Sequence, residues 1–258
     1  MLESAFTARS FILSDLTIDV VRYDGLVNSR SDIGEAHHHG QTGNTNAAPG
    51  RRCYRIFIGE NDTMAITEQL LTGSAVAENL DDIASLRITI FREFPYLYDG
   101  RREDESRYLQ VYANAPDTIV ITVSDSGKIV GAATGIPLQH EHQELVEPFA
   151  VTIYPLEEIY YVGEVLFYPG YRNRGLGLRL VEQMEEQVRS LESYRYLTCA
   201  TVVRPDDHPL RPAAYLPIDR FLARSGFHLL PEMMTEFSWL ETDGITQKHP
   251  MNFWLKEL

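Results

Sequence analysis

Residues 168–184 read YPGYRNRGLGLRLVEQM. Two arginines and two glycines are packed into a tight connection, and apolar residues then recur at Leu176, Leu180, Met184 and Val188. That spacing predicts a long amphipathic helix beginning at once after the turn. A helix N-terminus presents unpaired N–H groups and the positive end of the helix dipole, so it receives anions. Gly175 and Gly177 remove side chains where a ligand would approach the backbone. Arg172 and Arg174 add diffuse positive charge beside that nest. The strand expected in EIYYVGEVLFYP ends at Pro169, which puts the turn at a strand's C-terminal edge, the usual ligand position in open α/β sheets.

Two familiar phosphate sites do not fit. No Lys-Ser or Lys-Thr follows the glycines, as a P-loop needs. The third glycine position of a dinucleotide fingerprint holds Leu180, and the next strand, YLTCATVV, ends without an acid.

The rest of the chain supplies a context for one α/β domain. At 258 residues it fits one large domain, or an ordinary one with an extension. With 44% hydrophobic and 23% charged residues it has the balance of a globular protein rather than a disordered one. A net charge of -14 disfavours nucleic acid or anionic lipid as the main partner and is consistent with a cationic or amine substrate, although acidity also serves solubility. Two cysteines, Cys53 and Cys199, make no disulfide framework and no CxxC pair. The N-terminus shows no signal-peptide pattern, and no stretch approaches membrane-spanning length, so a cytoplasmic location is expected. A homodimer is compatible with the sequence.

Residues 1–52 read as an N-terminal extension, with short strands in FILSDLTIDVVRY and a polar, flexible segment over residues 29–50. His37, His38 and His39 lie in that segment; consecutive residues point in different directions, so a solvated loop is expected and no metal site. Residues 53–258 read as the domain. CYRIFIG is a strand, and NLDDIASLRITIFREFPYLY carries Ile83, Leu86, Ile90, Phe91 and Phe94 at helical spacing, with Asn79 or Asp81 as cap. SRYLQVYANAP is a second helix ended by Pro116, and TIVITVSDSGKIVGAATGIPL is a hairpin about Asp125, Ser126 and Gly127. An acidic insertion comes next, then the key strand and helix, the strand YLTCATVV, a helix in PIDRFLARSGF stopped by Gly226, and two closing strands across Asp243 and Gly244. Such an order predicts a mixed sheet with helices on both sides.

With these elements in place, the sequence resembles the GCN5-related N-acetyltransferases, which move an acetyl group from acetyl-CoA. Their motif [QR]-x-x-G-x-[GA] is matched by Arg172, Asn173, Arg174, Gly175, Leu176 and Gly177. RFLARSGF resembles their later aromatic-x-x-x-x-Gly-Phe element, with Gly226 and Phe227 at its end. The resemblance covers residues 54–258 and implies a V-shaped mixed sheet of about seven strands. By that likeness, backbone amides of residues 172–177 cradle the CoA pyrophosphate. The strand holding Val165, Leu166 and Phe167 hydrogen-bonds the pantetheine, and acetyl-CoA is the cosubstrate without a metal.

Acetyl transfer to an amine needs a group to accept a proton and a donor for the leaving thiolate. Glu164, in a strand otherwise almost free of charge, is the leading base or orienting group. Lining a partly desolvated cleft would raise its pKa. Where many relatives carry a tyrosine as the acid, this chain has Leu222, so Tyr215 in LRPAAYLPIDRF takes its place as candidate. His208 is a further substrate-side candidate, or it simply solvates its loop. Glu141, Glu144, Glu147, Glu157 and Glu158 crowd the insertion, where a field for a polyamine, aminoglycoside or basic peptide is one reading and a solvated surface the other. A noncatalytic CoA-binding or interaction domain, and transfer of a larger acyl group, use the same CoA-binding residues.

Overall fold

The computed structural model describes residues 51–55, as backbone, and 66–258. The expected strands and histidine loop of residues 1–50 lie outside the described residues. Among the described residues, eight strands form one sheet in the order β1-β2-β3-β4-β5-β6-β8-β7. They are β1 (Arg51–Arg55), β2 (Ile66–Leu71), β3 (Ile119–Asp125), β4 (Lys128–Pro137), β5 (Ile159–Phe167), β6 (Tyr196–Val202), β7 (His228–Leu240) and β8 (Thr246–Glu257). All neighbours pair antiparallel except β5 and β6.

Strand β2 is the one the sequence pattern passes over. Its inward positions are Ile66, Glu68 and Leu70, so a fully buried carboxylate interrupts the apolar alternation. Glu68 is paired there with Arg179, which explains its burial. Of the expected strand CYRIFIG, residues 53–55 belong to β1, which starts at Arg51, and the remainder falls outside the described residues.

The helices are α1 (Ser74–Ala77), α2 (Leu80–Phe91), α3 (Arg102–Asn114), α4 (Gln143–Val146), α5 (Leu176–Ser190) and α6 (Asp219–Arg224). Neighbouring residues of β4 show how they divide between the two faces. Thr134 points toward Tyr112 of α3, whereas Gly135 faces Met184 of α5. The α2 apolar stripe buries Ile83, Leu86, Ile90 and Phe91 as its spacing predicts. Its N-cap is Asn79, but the Asn79 amide reaches back to the Ala75 carbonyl instead of capping the helix. In the β3–β4 hairpin, Ser126 and Gly127 have φ of 50° and 80°, the two positive values a tight hairpin turn requires.

Two features of β5 open the sheet. Against β4, Thr134 pairs with Glu164 but Gly135 pairs with Val162, leaving Gly163 as an extra, bulged residue. Against β6, pairing runs only from Ile159 to Tyr161. Beyond Tyr161 the two strands part, and the sheet takes the form of a V.

Candidate active site

The mouth of the V lies beside the turn that enters α5. Gly175 is its N-cap, at φ 76°, and a Cβ there would meet nothing within 4 Å. Asn173, at φ 61°, is also left-handed. Among the described residues, no main-chain acceptor takes the amides of Asn173 and of residues 175–178; the first helical bond runs from Arg179 to Gly175. The turn therefore offers a row of donors and open space in front of a 15-residue helix. These features fit a pyrophosphate.

The two motif arginines divide the work. Arg172 turns inward, where its Nε donates to the Phe167 carbonyl at 2.9 Å and its Nη1 to Glu93 at 2.7 Å. Its charge is therefore paired rather than offered to an anion, a correction to the expectation that both arginines add charge to the nest. Arg174 is exposed, with its guanidinium 5.8 Å from the Tyr171 ring. Asn173 and Gly175 are exposed with it, while Leu176 and Gly177 are buried at the start of the helix. Val165, Leu166 and Phe167 lie on the part of β5 that no longer pairs with β6. Their side chains are core residues, so the main chain is what they can present there.

Glu164 points to the α2–α3 face and is fully buried. Its Oε2 accepts Nη1 of Arg87, whose Nε is engaged by Glu105. Two carboxylates thus flank one guanidinium, which also lies 4.2 Å from the Tyr108 ring centroid. The burial of Glu164 comes with the Arg87 cation against it. Glu164 Oε1 has no hydrogen-bond partner among the described residues.

Tyr215 stands on the segment between β6 and α6, packed edge-on against Phe94 with centroids 4.7 Å apart. It lines two cavities. One, of about 160 Å³, is bounded by Tyr96, Thr201, Arg204 and Asn252. The other, of about 530 Å³, is bounded by Glu93, Leu97, Arg172 and Leu210. His208 lies against the same Phe94 ring, with centroids 5.5 Å apart and the planes tilted by 51°. Leu222, in the slot where the resemblance implies a tyrosine acid, is fully buried. Glu164 and Tyr215 belong to different surroundings, one beneath α2 and α3 and the other on the cavity walls.

The acidic insertion is not one uniform field. Glu144, Glu147 and Glu157 are exposed, Glu158 pairs with Arg195, and Glu141 is buried against Tyr112. Nothing in the sequence pattern singles out Glu141 from its neighbours. Cys199 is buried, and burial pushes its thiol pKa up, as suits a core residue. No group of three or more His, Cys, Asp or Glu side chains able to hold a metal occurs among the described residues.

The model of the acetyltransferase (GNAT) family matches residues 82–212, half of the chain, and the chain belongs to that family. Membership brings the family's general chemistry, acetyl transfer from an acyl-CoA donor. No curated protein matches the chain as a sequence relative. Among solved structures, an uncharacterized protein from Bacillus halodurans superposes with a TM-score of 0.50 at 9% identity, covering 80% of this chain and 90% of that one. yncA from Salmonella typhimurium, solved with its cofactor acetyl-CoA, gives 0.48 at 12% identity over 75% and 94%. AAC(6')-Ib in complex with paromomycin and acetyl-CoA gives 0.47 at 14% identity over 74% and 93%.

Proposed function

We propose that this protein transfers the acetyl group of acetyl-CoA directly to a primary amine, with both substrates bound together. The observation that carries this reading is the parting of β5 from β6 beyond Tyr161, with the amides of Asn173 and of residues 175–178, which no main-chain acceptor takes among the described residues, at the opening. Those amides and Arg174 would hold the pyrophosphate, and the main chain of Val165, Leu166 and Phe167 would align the pantetheine. When bound, acetyl-CoA supplies an activated thioester carbonyl. The chain's own tasks are to place an uncharged amine against that carbonyl and to remove its proton.

Glu164 serves here as an orienting carboxylate. Arg87 provides its counter-charge in the interior, and its second oxygen remains able to accept an N–H. Tyr215 lines both cavities and is the candidate donor to the leaving sulfur. The exposed acids of the insertion favour a cationic small amine or basic peptide as acceptor.

A turnover screen with acetyl-CoA across small amines, amino acids and peptides, reporting free thiol, tests this reading. Amine-dependent thiol release supports it. Tight CoA binding with no release for any amine would point to a noncatalytic CoA-binding domain, and faster release from longer acyl-CoA donors to a different acyl transfer.

A further inference from the structure

The fold buries a carboxyl group that the sequence places among surface acids. Glu141 follows the turn after β4 and is only 8% exposed. Its Oε1 accepts the Tyr112 hydroxyl at 2.7 Å, and its Oε2 accepts the His142 amide at 3.1 Å. Tyr112 comes from α3, and its hydroxyl also lies 3.0 Å from that of Tyr108.

The Tyr112 oxygen rests against the bulge of β5. A Cβ at Gly163 would collide with it and come within 2.7 Å of Thr134 Oγ1. Thr134 is fully buried, and Oγ1 has no hydrogen-bond partner among the described residues. An interior hydroxyl without a partner is costly and marks a place where a polar group fits. The glycine, the phenol and the carboxyl thus form a line from the bulge, just beyond the last β5–β6 pair at Tyr161, to a carboxyl that keeps 8% exposure.

We propose that Tyr112 and Glu141 are the proton relay of the transfer, Tyr112 taking a proton from the acceptor nitrogen at Gly163 while its own passes to Glu141. This rests on the transfer reading above. As the nitrogen bonds to the acetyl carbon, the carbon–sulfur bond breaks and CoA leaves as a thiolate. The N–H proton moves to the Tyr112 oxygen, and the phenolic proton moves to Glu141 Oε1. Glu141 returns one proton to solvent, and the thiolate takes one from Tyr215, which recovers it from solvent, so the sum closes.

Glu141 suits this role better than Glu164. Among the described residues it has no ion pair, whereas Glu164 is bound to Arg87. The titratable groups around the relay are Tyr108 and Glu105 of α3, Arg87 of α2, His142 beside it, and Tyr161 and Glu164 of β5. Burial raises the Glu141 pKa, opposed by the Tyr112 and His142 hydrogen bonds and by Arg87. Burial also holds Tyr112 well above the usual phenol value, so Tyr112 hands its proton on rather than resting as an anion.

The test uses the full chain, acetyl-CoA, and two amines of different basicity that the wild type acetylates. Glu141→Gln and Tyr112→Phe should each lower kcat about a hundredfold, with the KM for acetyl-CoA unchanged. The acid limb of the pH–rate profile should stay put between the two amines in wild type and vanish in Glu141→Gln. The double variant should be no slower than the worse single one, because the two residues act as a unit. Infrared difference spectra, wild type minus Glu141→Gln, should show a carboxyl titrating above the ordinary glutamate range, without any need for turnover. An active wild type whose variants keep its kcat and acid limb overturns the relay alone. Multiplying losses in the double variant, or an ordinary Glu141 titration, also overturn it. A wild type that releases no thiol with any amine overturns the transfer reading and the relay together.

Discussion

Arg87 of α2 donates to Glu164 of β5 across the interior, and neither side chain touches solvent. With Glu105 of α3 on the same guanidinium, three elements are tied together at one charge. Removing one member leaves the others buried without compensation. Arg87→Met is therefore expected to destabilise the protein by about 3–5 kcal/mol. Chemical denaturation of the variant measures it, and a loss below about 1 kcal/mol would show the cluster to be hydrated.

Glu164→Gln keeps the shape and removes the charge. An orienting carboxylate predicts a loss of turnover of about tenfold or more, with acetyl-CoA affinity unchanged. Steady-state kinetics beside calorimetry separates the two quantities. Wild-type turnover in the folded Gln variant would take Glu164 out of the site.

Gly175→Val probes the phosphate turn. At φ 76° a β-branched residue is strained, although the protein leaves space for its Cβ. Because that space faces the expected ligand, CoA affinity should fall by about tenfold or more, equivalent to about 1.4 kcal/mol. Unchanged affinity by calorimetry in a folded variant would remove the turn from the CoA site.

The arginines should separate in their behaviour. Arg174→Ala is expected to weaken CoA binding several-fold and to flatten its salt dependence, since its charge is exposed and screened. Arg172→Ala should instead lower stability, through loss of the Phe167 and Glu93 contacts. Salt titrations and melting curves on both variants distinguish the roles; matching behaviour would contradict the division.

His249 gives the stability a pH dependence. Desolvation, then the nearby charge of Arg204, lowers its pKa to about 4 from an ordinary 6.5. The folded state therefore favours the neutral ring, and the unfolded chain takes up the proton first. Its contribution is complete above 6.5 and is lost as pH falls toward 4. Melting temperature should fall across that window, and His249→Gln should remove this part of the fall. A wild-type slope that persists unaltered in the variant would assign the dependence to other groups.

Local chemistry decided much of the architecture. Apolar spacing alone placed α2 and α5, the Ser126–Gly127 turn fixed the β3–β4 hairpin, and the Arg172–Gly177 pattern marked the turn before α5. Each of these rests on neighbours in sequence, where period and dihedral preference act directly. Glu68, Arg172 and Glu141 were decided elsewhere. A buried carboxylate hid β2 because its partner, Arg179, lies on a distant helix. The inward turn of Arg172 depends on Glu93 and Phe167, and the burial of Glu141 depends on Tyr112. A charge in the interior is stable only beside its partner, and the sheet and its two helical layers determine which partner that is.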